Sequence, residues 1–126
     1  MKIPCEIVVW CVLPMIRREI ARELVQTYSM SQAEVARRFG VTDAAISQYL
    51  KKKRGGCVEL EDNPLYIDFL KEVSVSSERI AVGGCECYDE MCRLCGVVKG
   101  SGLLAVIYKM QTGTVPPKCP QSYPDQ

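Results

Sequence analysis

Histidine is absent from this sequence of 126 residues. Imidazole is the side chain that most often transfers protons in catalysis, so acid–base chemistry in this chain would fall on carboxylates. None of the Asp and Glu residues is grouped with a plausible nucleophile. We therefore expect a protein that is not an enzyme, and any metal site in it must be built without imidazole.

Long apolar runs and targeting signals are also missing. No stretch approaches the roughly 20 apolar residues that span a bilayer. The N-terminal MKIPCEIVVWCVLPMIRREI has a lysine and an apolar run, but Glu6 interrupts the run and no small-residue cleavage site follows. We expect a cytoplasmic protein without membrane association, in which thiols stay reduced and clustered cysteines more often bind metal.

Charge is unevenly distributed along the chain, although the net charge is only +1. Residues 1–56 hold ten Lys and Arg against five Asp and Glu, whereas the remainder holds six against ten. A basic first half indicates that this half contacts a polyanion. The length fits one compact domain or a small domain with an appended module. We expect a domain over residues 1–56 and a second module over residues 57–126.

Two apolar features open the chain. Residues 3–13, IPCEIVVWCVL, are apolar apart from one glutamate, and the pattern alone does not separate a buried helix from a strand. Cys5 and Cys11 in this segment are predicted core thiols, because free cysteine behaves as a small hydrophobe. After Pro14, apolar side chains recur every four residues, which predicts an amphipathic helix of about four turns.

Two shorter helices are predicted to follow. In MSQAEVARRFG, Ser31 is placed to cap a helix, Glu34 completes a capping box and Gly40 ends the helix. In VTDAAISQYLKKKRGG, Thr42 is the next N-cap. Only Val41 separates Gly40 from Thr42, and two helices joined so tightly predict a helix-turn-helix.

The second of these helices has two unlike faces. One face is apolar and is expected to pack on Val35, Ala36 and Phe39; it consists of Ala45, Ile46, Tyr49 and Leu50. The other face is small, polar and hydrogen-bonding, as a surface that reads a DNA groove must be; it consists of Asp43, Ala44, Ser47, Gln48 and Lys51. The pattern therefore predicts a DNA-reading helix.

The stretch SQAEVARRFGVTDAAISQYLKKKRG closely resembles the helix-turn-helix of phage-repressor-like (XRE-type) transcription regulators. The resemblance covers about twenty-five residues; the matching positions are Gln32, Ala36, Gly40, Val41, Ile46 and Ser47. It implies that the second helix enters the major groove with Thr42, Asp43, Ala44, Ser47, Gln48 and Lys51, and that Gln32 anchors a phosphate. The ending Lys51, Lys52, Lys53 and Arg54 is more basic than is common in the family and implies stronger backbone contact. The wider chain, with its trailing cysteines, resembles small predicted archaeal transcription regulators.

The C-terminal half is predicted to begin with a linker and a helix. Residues 57–63 have the composition of a linker, and Asn63 with Pro64 begins a helix in NPLYIDFLKEV. VSVSSERIAVGG extends that helix or turns into a strand or loop. SGLLAVIYKM is a short helix or a buried strand, and the proline-rich end is an irregular tail. The fold class expected from these elements is mainly α.

Four cysteines fall within residues 83–96, GGCECYDEMCRLCG; they are Cys85, Cys87, Cys92 and Cys95. Four thiolates without histidine match either a tetrahedral zinc site or a 4Fe–4S cluster. We expect a tight turn to aim Cys92 and Cys95 at one centre and a short loop to return the other two. The C-x-C element and the flanking glycines favour the iron–sulfur cluster over zinc, with reversible disulfides as a further alternative. Cys119 or Cys57 is a candidate to replace one of these four cysteine ligands.

These features together predict a DNA-binding transcription regulator whose iron–sulfur cluster senses redox state or iron supply. One reading helix covers only a few base pairs, so we expect a homodimer on double-stranded DNA. Its interface would come from residues 3–13 or from the C-terminal half. Two rival functions stay open: a regulator with a purely structural zinc site, and a thiol–disulfide redox protein based on CRLC.

Overall fold

The computed structural model describes residues 3–51, 60, 62–83 and 85–115. These residues form helices joined by short turns: α1 (Pro4–Ile7), a π-helical turn (Val8–Val12), α2 (Leu13–Gln26), α3 (Gln32–Phe39), α4 (Asp43–Leu50), α5 (Pro64–Ala81), α6 (Cys87–Ser101) and α7 (Leu103–Thr112). No strand occurs in the described part of the chain. The predicted mainly α fold class is confirmed.

The apolar N-terminal segment is helical. α1, the π-helical turn and α2 follow one another without a break, because Val8 and Leu13 at the junctions keep right-handed helical backbone angles. Cys11 is buried, as predicted for a core thiol. The same prediction is wrong for Cys5, which lies exposed in α1.

α2 lies at the centre of the molecule and packs against α3, α4, α5 and α6. One hydrophobic core contains buried side chains from both of the predicted segments, residues 1–56 and 57–126; among them are Ile20 of α2, Ile46 of α4, Phe69 of α5, Leu94 of α6 and Ile107 of α7. The helices of residues 57–126 therefore hold α2 in place, and α2 is the helix against which α3 and α4 pack.

α5 begins where the sequence predicts, and it extends beyond the residues whose pattern clearly indicates a helix. The Asn63 Oδ1 accepts a hydrogen bond from the Leu65 backbone N–H at 2.9 Å, and Pro64 occupies the first helical position. The ambiguous stretch VSVSSERIAV belongs to this helix as far as Ala81. Its buried residues Val73, Ser76, Ser77 and Ile80 lie at helical spacing, which accounts for the extension.

α6 and α7 are two helices separated by a single residue. Gly102 has φ +90°, a left-handed conformation that glycine adopts without a Cβ penalty, and it ends α6. The stretch after Ser101 is thus a helix and not a strand. None of the described helices is by itself long and apolar enough to cross a membrane; α6 and α7 meet that length and composition only as a pair, and the pair is bent by 78°.

Candidate functional site

α3 and α4 are joined by Gly40, Val41 and Thr42 and are capped as the sequence predicts. The Ser31 Oγ accepts a hydrogen bond from the Glu34 N–H at 3.1 Å, and the Thr42 Oγ1 accepts one from the Ala45 N–H at 3.1 Å. Gly40 has φ +68°, so it turns the chain out of α3 in a conformation that disfavours other residues. These local contacts set both helix starts and the turn between them.

The Glu34 side chain forms ion pairs with the last turn of α3. Its carboxylate pairs with the guanidinium groups of Arg37 and Arg38, the latter at 3.1 Å. Hydrogen bonds from these arginines lower the pKa of Glu34. The serine half of the predicted capping box is therefore confirmed. The glutamate instead stabilises α3 through ion pairs with the residues three and four positions later in the helix.

The inner face of α4 is buried. Ala45, Ile46 and Tyr49 are at most 5% exposed, and they belong to the same core as Val35 and Ala36 of α3. This burial fixes the rotation of α4 about its own axis, because turning the helix would expose these side chains to water. The face opposite is then presented outward.

The outward face of α4 carries the residues that the sequence assigns to DNA. Its exposed members are Thr42, Asp43, Ala44 and Lys51, and its partly exposed members are Ser47 and Gln48. Gln32 is exposed at the first position of α3. Lys52, Lys53 and Arg54 lie outside the described residues. Hydroxyl, amide, carboxylate and ammonium groups thus share one surface, which offers both donors and acceptors to a base edge.

Arg38 connects α3 to the end of α5. Its Nη1 donates a hydrogen bond to the Ile80 carbonyl oxygen at 2.6 Å, and that oxygen also accepts one from the Gly83 N–H at 3.1 Å. The contact joins residues 42 positions apart in the sequence, and no local pattern indicates it. It ties the α3–α4 pair to the connection that leads into the cysteine segment.

Three of the four clustered cysteines lie on one helix. Cys87, Cys92 and Cys95 belong to α6, where the sequence predicts a tight turn, so that prediction of local structure is wrong. Cys87 and Cys95 are eight residues apart, about 12 Å along a helix axis, whereas two thiolates on one zinc ion are at most about 4.6 Å apart. Among the described residues, no group of three or more His, Cys, Asp or Glu side chains is arranged to hold a metal ion.

The four thiols fall into two separate pairs. Cys85 and Cys87 line a cleft of about 410 Å³ together with Glu34, Arg37 and Arg38 of α3. Cys92 instead lines a different groove, which is formed by α6 itself. Cys57 and Cys119, the possible substitute ligands, lie outside the described residues. The arrangement therefore does not fit one site of four thiolates.

Burial raises the pKa of three of these thiols, Cys85, Cys87 and Cys95. Burial raises the pKa of Cys87; Arg38 opposes this effect, and Cys85 adds to it. Burial also raises the pKa of Cys95, against Lys99, and Cys92 adds to the rise. Cys85 thus acts on the ionisation of Cys87, and Cys92 on that of Cys95; the three thiols with raised pKa values stay protonated at neutral pH.

α6 is held against α5 by a cluster of charged and hydroxyl groups. The buried Glu90 accepts hydrogen bonds from the Ser76 Oγ at 2.8 Å and from the Arg93 Nε at 3.3 Å. Arg93 also donates to the Glu72 carboxylate at 2.6 Å. Burial alone would raise the pKa of Glu90, but the hydrogen bonds from Ser76 and Arg93 outweigh it and lower the pKa. These contacts fix the helix that carries the cysteines.

Comparison of the chain with known protein families, with curated proteins and with solved structures finds no match.

Proposed function

We propose that this chain binds double-stranded DNA sequence-specifically and acts as a transcription regulator, with α3 and α4 as its helix-turn-helix. The observation that carries the proposal is the outward face of α4: it is polar and free of large apolar side chains, while the opposite face is buried. Gln48 offers an amide that can bond two atoms of an adenine edge, and Asp43 can accept a hydrogen bond from cytosine.

The charge of the first half supports the same proposal. Residues 1–56 carry ten basic residues against five acidic ones, and Lys51 is exposed at the end of α4. Phosphate contacts from such residues supply most of the non-specific affinity for DNA and make it dependent on salt. We therefore expect the protein to bind any DNA duplex weakly and its specific DNA site more tightly.

Regulators with one reading helix per chain usually bind a two-fold site as a dimer, and we propose a homodimer here. The π-helical turn exposes large apolar side chains, with Trp10 70% and Val9 57% exposed. Exposed aromatic residues of this kind dominate the energetics of protein interfaces. This segment is the interface that we favour over the C-terminal half.

The test is a comparison of two identical substitutions, Gln48→Ala on the outward face of α4 and Gln26→Ala at the end of α2. Gln48→Ala should cost about 1–3 kcal/mol of discrimination at one or two base pairs. Gln26 is exposed but lies outside the proposed reading surface, so Gln26→Ala should leave the preferred sequence unchanged. Equal effects of both substitutions on sequence preference would contradict the role assigned to α4.

An iron–sulfur cluster on Cys85, Cys87, Cys92 and Cys95, acting as a redox or iron sensor, stays a prediction from the spacing. It requires the first turns of α6 to unwind, because the helix holds its cysteines apart. Protein purified without oxygen should then be brown and lose its colour in the Cys92→Ser variant. Colourless protein with one zinc ion per chain would instead support the structural zinc alternative.

A further inference from the structure

We propose that Cys85 and Cys87 form a binding site for one soft, two-coordinate monovalent cation of the Cu(I) class. Such ions prefer thiolate ligands, and two thiolates are sufficient for them. The site is smaller than the four-cysteine site that the spacing predicts, and it competes with that site for the same two residues. It does not depend on the proposed DNA-binding function.

The geometry of the cleft carries the proposal. Both cysteines line the same opening of about 410 Å³, and both are partly buried. Glu86 alone separates the two cysteines in the sequence, and both border this one opening. The cleft is open enough to admit an ion without unfolding α6, which a site of four thiolates would require.

The charges that line the cleft are balanced, so they do not oppose a cation at this pair. Arg37 and Arg38 are engaged by Glu34, and Glu86 adds a second carboxylate to the lining of the cleft. Around Cys85, the carboxylates of Glu90 and Asp89 act against the guanidinium of Arg79. A bound cation would replace the two thiol protons.

The second pair of thiols lacks these features. Cys92 is exposed, and the nearby Lys99 ammonium acts on Cys95 and hydrogen-bonds to it. Cys95 does not line the groove that Cys92 borders, so these two thiols do not share one opening. The two pairs therefore serve as matched controls for each other in one chain.

Binding exchanges protons for the ion without any change of oxidation state. Two thiols and one Cu(I) ion give a bis-thiolate complex and two released protons. Because Glu34, Arg37 and Arg38 belong to α3, the bound ion would lie between α3 and the start of α6. Occupancy of the site is then expected to stabilise the contact between these two helices.

The experiment titrates the full, reduced chain with Cu(I) alone under anaerobic conditions, in competition with a Cu(I) chelator. The tightest site should take one ion per chain. Cys85→Ser and Cys87→Ser should each weaken this binding by more than about 100-fold, since even partners outside the ligand set account for 10- to 100-fold in other metal sites. Cys92→Ser and Cys95→Ser should leave it within about threefold.

Circular dichroism of the four variants is the control for folding, and each variant should keep the helix content of the unsubstituted chain. Cu(I) should also raise the unfolding midpoint of the Cys92→Ser variant but not that of Cys85→Ser. Equal loss of binding in all four variants would mean a four-thiolate site and would overturn the proposal. Unchanged binding in both Cys85→Ser and Cys87→Ser would overturn it as well.

Discussion

Replacing Arg38 with alanine should destabilise the protein more than the same change at its neighbour Arg37. Both side chains pair with Glu34, and both changes remove one positive charge from α3. Within the described part of the chain, Arg38 alone of the two hydrogen-bonds outside its own helix, where its Nη1 donates to the Ile80 carbonyl oxygen at 2.6 Å. The difference between the two variants therefore isolates the contact between α3 and the end of α5.

The structure sets the expected size of this difference. A hydrogen bond from a charged group contributes about 1.5–3 kcal/mol when it is well buried. The Arg38 side chain is 32% exposed, and the Ile80 oxygen keeps its bond from the Gly83 N–H, so we expect about 1–1.5 kcal/mol for Arg38→Ala. The Arg37 side chain is 76% exposed, so water screens its ion pair and its loss should cost clearly less.

Urea unfolding at neutral pH, followed by circular dichroism, measures both values. For a small protein, about 1–1.5 kcal/mol corresponds to a decrease in the midpoint of roughly 0.5–1 M urea. Arg38→Lys keeps the charge and should recover little, because lysine does not reproduce the planar guanidinium geometry. The reasoning is refuted if Arg37→Ala destabilises the protein as much as Arg38→Ala.

Three further predictions concern stability, assembly and salt dependence. Hydrogen bonds keep the pKa of Glu90 below its ordinary range, so its contribution to stability is complete near pH 7 and is lost as the pH falls through the folded-state pKa. Glu90→Gln should cost about 1–2 kcal/mol at pH 7 and flatten the acid limb of a stability–pH curve; an unchanged curve would contradict this. Sedimentation at micromolar concentration should show about twice the monomer mass. Trp10→Ala should shift the measured mass towards that of the monomer, while Tyr88→Ala, which removes another exposed aromatic side chain, should not. A wild-type protein that is strictly monomeric, both free and on DNA, would refute the dimer. Lys52→Ala should weaken binding to all duplexes alike and reduce the salt dependence, which a sequence-selective loss would disprove.

Much of the N-terminal half follows from local chemistry. Ser31, Gly40 and Thr42 mark the ends of α3 and α4 because each satisfies or terminates backbone hydrogen bonds within a few residues of itself. Asn63 and Pro64 mark the start of α5 in the same way. Signals of this kind act over one helical turn, so a sequence is sufficient to place them.

The cysteine segment shows where local chemistry was insufficient. Cysteine and glycine are poor helix formers, and α6 contains three cysteines and two glycines. The helix is set by tertiary contacts: Glu90, Leu94 and Val98 lie at a spacing of four residues, and all three are buried. That spacing was the available signal in the sequence, and the density of cysteines obscured it. The hydrogen bond from Arg38 to the Ile80 carbonyl oxygen has no signal in the sequence, because it depends on how α3 and α5 pack.

The central claim is that the outward face of α4 reads DNA sequence, and selection from a pool of random duplexes with the full chain tests it most directly. The account predicts enrichment of one defined site with two-fold symmetry, and a changed preference at one or two base pairs of each half-site for Gln48→Ala. Recovery of no sequence above the random pool, at a salt concentration where the protein still binds DNA, would contradict it.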